Sequence, residues 1–218
     1  QAPLMYTGRR TAELIKYAAN AFLATKITFI NEIADLSERV GVDVQEVARG
    51  IGLDNRIGSK FLHAGPGFGG SCFPKDTRAL LKIAQDHDVP LRIVDAVLAV
   101  NENRKRAMAR KVSAALGGQL RGKTVAVLGL TFKPDTDDMR EAPSIPLITG
   151  LCDMGAKVRA FDPAGMEQAR QELPDLDYCE DAYACAHGAD ALVIVTEWVQ
   201  FRWSSATFYS KSGGSNRK

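Results

Sequence analysis

Residues 123–129, which read Lys-Thr-Val-Ala-Val-Leu-Gly, decide the fold class of this chain. This short run of mostly β-branched and apolar residues ends in a glycine, and that pattern predicts a buried strand. Two later runs, residues 157–161 and 191–196, have the same character. Helical patterns lie between and around them, at about 146–154, 165–172 and 181–187. Strands that alternate with helices predict a parallel α/β sheet, whose ligands lie at the carboxyl ends of the strands.

Upstream of this strand the chain predicts only helices, at about residues 11–40, 44–49, 77–85 and 91–116. The first is expected to end at Gly41, and Asp43 with Glu46 has capping-box spacing for the second. At ~1.5 Å per residue the first helix would span about 45 Å. Its apolar residues occupy more than one face, which predicts burial by several neighbours, including a second subunit in a homodimer.

The predicted organisation is therefore α/β overall, with an all-helical dimerisation domain followed by a truncated Rossmann-like parallel α/β domain. We place the helical domain at residues 1–117, the α/β domain at 118–203 and a polar, disordered tail at 204–218. The charge-rich residues 101–110 are interpreted as the solvated face of the fourth helix.

Composition excludes several classes of protein. With 28 basic and 26 acidic residues the net charge is +2, which gives no reason to propose a nucleic-acid partner. The apolar runs are too short to cross a membrane. Four cysteines without a C-x-x-C pair fit a reducing, cytoplasmic compartment. The three histidines are scattered, so no metal site is predicted.

The most unusual stretch is residues 65–76, which read Gly-Pro-Gly-Phe-Gly-Gly-Ser-Cys-Phe-Pro-Lys-Asp. Clustered glycines indicate a close approach of the backbone to a ligand. Cys72 follows them at the start of a helix with Lys75 nearby, and both features favour a thiolate nucleophile. The alternative is that Cys72 is a small buried apolar residue, as most free cysteines are. The combination with the glycines, Lys75 and Asp76 favours the nucleophile.

The glycines at 65, 67 and 70 also match the dinucleotide pattern G-x-G-x-x-G. That fingerprint requires a strand before it and a helix that opens within it. Prolines at 66 and 74 interrupt the stretch, and residues 61–64 before it are too few for a βαβ unit. We interpret this match as a false positive.

Residues 68–76 closely resemble the catalytic segment of the UDP-glucose/GDP-mannose dehydrogenase family, and its UDP-glucose branch in particular. Residues 13–22 and 130–140 also resemble the family, and the similarity extends over residues 1 to about 203. The resemblance implies NAD-dependent oxidation of the sugar C6 alcohol of UDP-glucose to a carboxylate. UDP-glucuronate would form through a thiohemiacetal and a thioester on the cysteine.

The resemblance also implies roles for individual residues. The catalytic group would be Cys72, Lys16, Asn20 and Asp76. The substrate contacts would be Lys16, Asn20, Arg56, His63, Gly67, Phe68, Gly69, Phe132 and Lys133, with Arg56 reaching the sugar site of a neighbouring subunit. The NAD contacts would be Cys72, Lys75 and Arg140.

Each of these assignments has a simpler alternative. Lys16 and Asn20 would share a helix face as a surface pair, Arg56 would be a surface charge, and residues 130–140 would be a solvated acidic loop. The chain begins with Gln1, and we expect a fragment. The resemblance implies that this fragment lacks the family's NAD domain and last strand and is inactive by itself. A GDP-mannose or UDP-N-acetyl-hexosamine dehydrogenase and a non-catalytic dimeric nucleotide-sugar-binding remnant remain alternatives.

Overall fold

The computed structural model describes residues 3–201 of the 218-residue chain. The chain divides into two compact units, Gln1–Glu102 and Asn103–Lys218. The sequence placed a domain boundary after residue 117, beyond this division, and that boundary stays a prediction. The tail predicted at 204–218 lies outside the described residues.

Four helices account for most of the first unit. They are α1 (Arg9–Val40), α2 (Val44–Gly52), α3 (Phe73–Asp86) and α4 (Arg92–Ala115), of which α4 continues into the second unit. The first helix ends at Gly41, whose left-handed φ of 73° suits a residue without a side chain. Asp43 caps α2 by accepting a hydrogen bond from the Gln45 N–H at 2.7 Å.

Small apolar clusters hold the first unit together. One contains Ala24, Phe68 and Val97, and a second contains Ile30, Ala48 and Leu62. Each joins residues far apart in sequence, so α1 packs against its neighbours along much of its length. Removing such side chains from water stabilises the fold by roughly 1.5–3 kcal/mol for each large residue.

The second unit is a four-stranded parallel sheet in the order β3-β2-β1-β4. Its strands are β1 (Thr124–Leu128), β2 (Lys157–Phe161), β3 (Asp177–Tyr178) and β4 (Ala191–Ile194). The helices of the crossover connections are α5 (Ser144–Asp153), α6 (Met166–Glu172) and α7 (Ala182–Ala186). In the ladder Thr124 lies opposite Lys157, and Val125 lies opposite Ala191.

The central position of β1 explains its apolar sequence, because residues 125–128 are completely buried between two clusters. Val125 and Val127 face one cluster with residues of α5. Ala126 and Leu128 face the other with residues of α7. The helical first part and the parallel α/β second part confirm the predicted fold class.

Three local predictions were wrong. Helix α3 begins at Phe73 instead of residue 77, since Pro74 in its first turn needs no hydrogen-bond acceptor. The two-residue strand β3 was missed because it is too short to give an alternating pattern. Residues 101–110 are not a uniformly solvated face, since Asn101, Lys105 and Ala109 are buried. Within residues 3–201, no helix is long and apolar enough to cross a membrane.

Candidate active site

Cys72 lies at the N-terminal end of α3, directly after the glycine-rich stretch, and its side chain is exposed. Its carbonyl accepts the first hydrogen bond of the helix, from the Asp76 N–H at 2.9 Å. The Ser71 Oγ lies 3.8 Å from the Cys72 Sγ. The thiol is therefore accessible and lies where the partial positive charge of the helix terminus favours an anion.

Asp76 is the centre of a polar cluster one turn into α3. It is only 1% exposed, and its Oδ2 accepts a hydrogen bond from Asn20 Nδ2 at 2.5 Å. The same oxygen lies 3.4 Å from Lys16 Nζ, while Oδ1 pairs with Lys75 Nζ. Lys16 and Asn20 lie one turn apart on α1, so the structure brings together three of the four predicted catalytic residues.

The pKa of Asp76 reflects two opposing effects. Burial raises the pKa of this carboxyl, but hydrogen bonds from Lys75 and Asn20 outweigh it, and the net pKa is below the usual 3.8. The pKa of Lys75 is raised, chiefly by its hydrogen bond to Asp76, with smaller contributions from Tyr17 and Cys72. An enclosed carboxylate thus orients two ammonium groups whose side chains remain mostly exposed to solvent.

Two buried asparagines that the sequence analysis missed hold the glycine-rich stretch. Asn31 Oδ1 accepts from the Gly65 N–H at 2.8 Å. Asn101 Oδ1 accepts from the Phe68 N–H at 2.8 Å, and its Nδ2 donates to the Phe68 carbonyl at 3.0 Å. Both asparagines are 1% exposed. Each follows an apolar residue by one helical turn, Ile27 or Val97, and this spacing was the signal available in the sequence.

Arg56 and His63 lie elsewhere in the first unit. Arg56 makes a two-point ion pair with Asp54, with Nη2 2.6 Å from Oδ2 and Nε 3.0 Å from Oδ1, and its side chain is 90% exposed. Lys26 Nζ donates to the carbonyls of Ile57 and Gly58 and holds this turn to α1. His63 is exposed. No contact described for residues 3–201 joins Arg56 or His63 to the Asp76 cluster.

The second unit carries the other predicted substrate residues in the loop that follows β1. Lys133 Nζ lies 5.5 Å from the centre of the Phe132 ring, in a cation–π contact. The Arg140 side chain forms an ion pair with Asp138, with Nη2 2.7 Å from Oδ2, and is 69% exposed. The Arg140 hydrogen bonds are the main cause that lowers the pKa of Asp138.

Asp162, directly after β2, fixes the start of that loop. Its carboxylate is 1% exposed and accepts hydrogen bonds from the protein's own donors. These donors are the N–H groups of Leu130, Thr131, Ala164 and Gly165, the Thr131 hydroxyl and the Trp198 indole. Two hydroxyls, of Ser144 and Thr196, donate to the carbonyls of Leu130 and Thr131 at 2.5 Å. No pattern in the sequence pointed to this network.

The described residues do not form a complete NAD site. The turn after β1 reads Gly-Leu-Thr-Phe-Lys-Pro from residue 129 and lacks the glycine fingerprint. In dinucleotide-binding sheets an acidic side chain beyond that fingerprint binds the ribose, whereas Asp162 is enclosed by protein donors. No strand precedes Gly65 within the described part of the first unit, which confirms that the match there is false. Lys75 and Arg140 are exposed cations, and each can contribute a single contact to a dinucleotide but not a binding site.

Comparison with known proteins gives consistent matches to both units. The model for the UDP-glucose/GDP-mannose dehydrogenase family, central domain, matches residues 10–103. The model for the UDP binding domain of the same family matches residues 126–213.

Among relatives, a UDP-glucose 6-dehydrogenase of Rhizobium meliloti (strain 1021) is 67% identical over 93% of this chain and 46% of its own length. The UDP-glucose 6-dehydrogenase TuaD of Bacillus subtilis (strain 168) is 49% identical over 92% of this chain and 44% of its own. The structure of a UDP-glucose dehydrogenase from the hyperthermophilic archaeon Pyrobaculum islandicum superposes with a TM-score of 0.88 at 44% identity. That match covers 92% of this chain and 46% of the archaeal one, so the chain spans about half the length of these relatives.

Proposed function

We propose, from the premise that this chain belongs to the UDP-glucose/GDP-mannose dehydrogenase family, that it forms the nucleophile-bearing part of a UDP-glucose 6-dehydrogenase. The whole protein would oxidise the C6 alcohol of UDP-glucose twice and release UDP-glucuronate. The observation that carries this proposal is the exposed Cys72 at the start of α3, one turn from an enclosed carboxylate that orients Lys16, Lys75 and Asn20.

Cys72 provides the covalent step. Its thiolate adds to the C6 aldehyde of the partly oxidised sugar, and the carbonyl oxygen takes up a proton to give a thiohemiacetal. Oxidation of that adduct leaves a thioester, and water cleaves the carbon–sulfur bond to release the carboxylate and the free thiol. When bound, NAD would be the hydride acceptor. We propose Lys75 and Arg140 as residues of this chain that contact NAD.

Lys16 and Asn20 would act on the oxygen that becomes negative during addition and hydrolysis, and Asp76 would hold them in place. The Lys16 ammonium and the Asn20 amide are hydrogen-bond donors fixed by the same carboxylate. A donor held in place for a developing oxyanion is worth about 3 kcal/mol of transition-state stabilisation. Asp76 would act through these donors by keeping them oriented, since its own oxygens are enclosed.

Substrate contacts are proposed in each unit taken by itself, from the backbone of the glycine-rich stretch in the first and from Phe132 and Lys133 in the second. Arg56 would serve the site of a second subunit. The long helix supports a homodimer, since it exposes a row of large apolar residues that no described part of the chain covers. These are Leu14, Phe22, Phe29 and Leu36, each 50–66% exposed. Sedimentation velocity tests this, because Phe22→Asp should weaken the dimer whereas Ile83→Asp, on α3, should not.

Brief treatment of the folded chain with iodoacetamide tests the nucleophile. Cys72 should be labelled first, because burial and then Asp153 raise the pKa of Cys152. Burial also raises the pKa of Cys185 to about 12, and Cys179 is buried too. In Cys72→Ser, the labelling of Cys152 should be unchanged. Faster labelling of any other thiol in the wild-type chain would contradict the assignment.

Calorimetry addresses the alternatives. Tighter binding of UDP-glucose than of GDP-mannose or a UDP-N-acetyl-hexosamine supports the proposal. Lys133→Ala should weaken the binding of UDP-glucose. Tighter binding of GDP-mannose would favour a GDP-mannose dehydrogenase instead. A non-catalytic remnant would bind the nucleotide sugar while Cys72 reacted no faster than Cys152.

A further inference from the structure

Asn101 makes both of its hydrogen bonds to one residue of the glycine-rich stretch. Its side-chain oxygen accepts from the Phe68 N–H at 2.8 Å, and its nitrogen donates to the Phe68 carbonyl at 3.0 Å. The amide is 1% exposed, so water does not compete for either bond. A residue outside any strand therefore has both main-chain groups satisfied by a single side chain.

The fixed residue is connected to Cys72 by packing. The Phe68 side chain is 5% exposed and packs with Ala24 and Val97. Its ring meets the Phe73 ring edge to face, with centroids 5.9 Å apart and planes at 89°. Phe73 begins α3 and directly follows Cys72, so Phe68 and Phe73 anchor the chain on both sides of the thiol.

We propose that Asn101 is a positioning residue for Cys72. A glycine-rich segment samples many conformations, and fixing it costs backbone entropy that its small side chains cannot offset by packing. The two bonds of Asn101 select one conformation and so keep Cys72 at the end of α3, next to the Lys75 ammonium. This inference rests on the proposed role of Cys72 as nucleophile.

A buried asparagine that only filled space would have different properties. Leucine has a similar size and would replace such a residue well, because apolar burial is favourable and the amide costs free energy to desolvate. Leucine cannot bond the main chain of Phe68. An aspartate can do so only when protonated, since a neutral carboxyl both donates and accepts whereas a carboxylate only accepts.

The test compares Asn101→Leu and Asn101→Asp in the 218-residue chain by hydrogen exchange of the Phe68 amide at pH 5 and pH 8, corrected for intrinsic rates. In Asn101→Leu the amide should exchange at least about tenfold faster than in the wild type at both pH values. In Asn101→Asp protection should be close to wild type at pH 5 and lost at pH 8, because burial favours the neutral acid. Ile30→Val, a core change in the same unit, should alter neither result.

The two hydrogen bonds from Asn101 to the main chain of Phe68 are called the clamp. Alkylation at pH 8 tests whether the clamp influences the Cys72 thiol. Alkylation of Cys72, measured relative to Cys152 in the same sample, should slow severalfold in both Asn101 variants and stay unchanged in Ile30→Val. Unaltered Phe68 exchange in Asn101→Leu would overturn the clamp itself. Faster exchange with unaltered Cys72 labelling would overturn the link to the nucleophile. A wild-type Cys72 that reacts no faster than Cys152 would instead refute the proposed nucleophile, while the exchange data would still measure the clamp.

Discussion

The glycine-rich stretch before Cys72 is held by two neutral amides, whereas the loop after β1 is held by a carboxylate and two hydroxyls. The difference follows from what each backbone offers. Phe68 presents one donor and one acceptor on the same residue, which an amide matches and a carboxylate cannot. At the carboxyl ends of β1 and β2 four N–H groups converge, and one enclosed anion, Asp162, satisfies them together.

In both loops the side chain that holds the backbone matches the donors and acceptors that the backbone presents, and not the chemistry of the proposed substrate. The two regions also differ in the role of their enclosed carboxylate. Near Cys72 the enclosed anion is Asp76, which orients the lysines, while the loop itself is held without charge. After β1 the anion holds the loop directly, and its removal should be the more damaging change.

The largest expected effect is that of Asp162→Ala. The change leaves several buried donors without an acceptor, and each costs about 1–3 kcal/mol. We therefore expect the free energy of unfolding of the second unit to fall by about 3 kcal/mol or more. Trp198 lies in the described part of this unit, so its fluorescence in a urea titration measures the unfolding of the unit. Asp190→Ala, at the amino ends of β1 and β4, is the control, and an equal loss there would contradict the special role of Asp162.

A smaller effect is expected at Asp76, and it should depend on pH. Because folding lowers the pKa of this carboxyl, its ionised form stabilises the fold above the ordinary value of 3.8, and the contribution is lost as the pH falls below that value. Asp76→Asn should destabilise the chain by about 1–2 kcal/mol at pH 7, since the partner lysines are largely exposed. Urea unfolding followed by circular dichroism should show this difference shrinking towards pH 3.

Asp86→Asn provides the matched control for that experiment. Asp86 lies on the same helix and pairs with Lys82, but both side chains are more than half exposed. Its replacement should change the unfolding free energy little at either pH. A loss at Asp76 that is as large at pH 3 as at pH 7 would show that packing, not charge, underlies its contribution.

An effect of about the same size as that at Asp76 is expected in the glycine-rich backbone itself. Gly70 has a φ of 81°, a left-handed conformation that costs a residue with a side chain about 1–2 kcal/mol. Gly70→Ala should destabilise the chain by this amount in thermal or urea unfolding. A side-chain carbon at Gly65 would meet no atom within 4 Å, so Gly65→Ala should be close to neutral. Equal losses at the two positions would refute this account of the loop.

The sequence predicted the regular elements well because their periodicity is local. The apolar period of α1 and the apolar run of β1 follow from neighbouring residues, and so do the glycine that ends α1 and the cap of α2. The prediction that Cys72 stands at the start of a helix is confirmed, whereas the bound given at residue 77 was too late, although proline is favoured in the first turn of a helix.

The residues that hold the loops could not be predicted in the same way. Asn101 lies in a charge-rich segment, and its partner is a main-chain group 33 residues away. Asp162 looks like an ordinary turn residue after a strand until the sheet order brings Leu130 and Thr131 next to it. Lys16, Asn20 and Asp76 were identified together only because two motifs, at residues 13–22 and 68–76, resembled one family, since their contacts span 56 to 60 positions along the chain.

Anchoring through main-chain atoms makes the loop before Cys72 tolerant of sequence drift. Both hydrogen bonds described for Asn101 are to main-chain atoms of Phe68, so they do not depend on which side chains stand at the exposed positions of the loop. Phe68 must stay apolar because it is buried, but Ser71 is only partly enclosed and can change without loosening the backbone. If Cys72 is the proposed nucleophile, the exposed side chains around it can therefore be varied one at a time while the bonds from Asn101 keep the same backbone conformation.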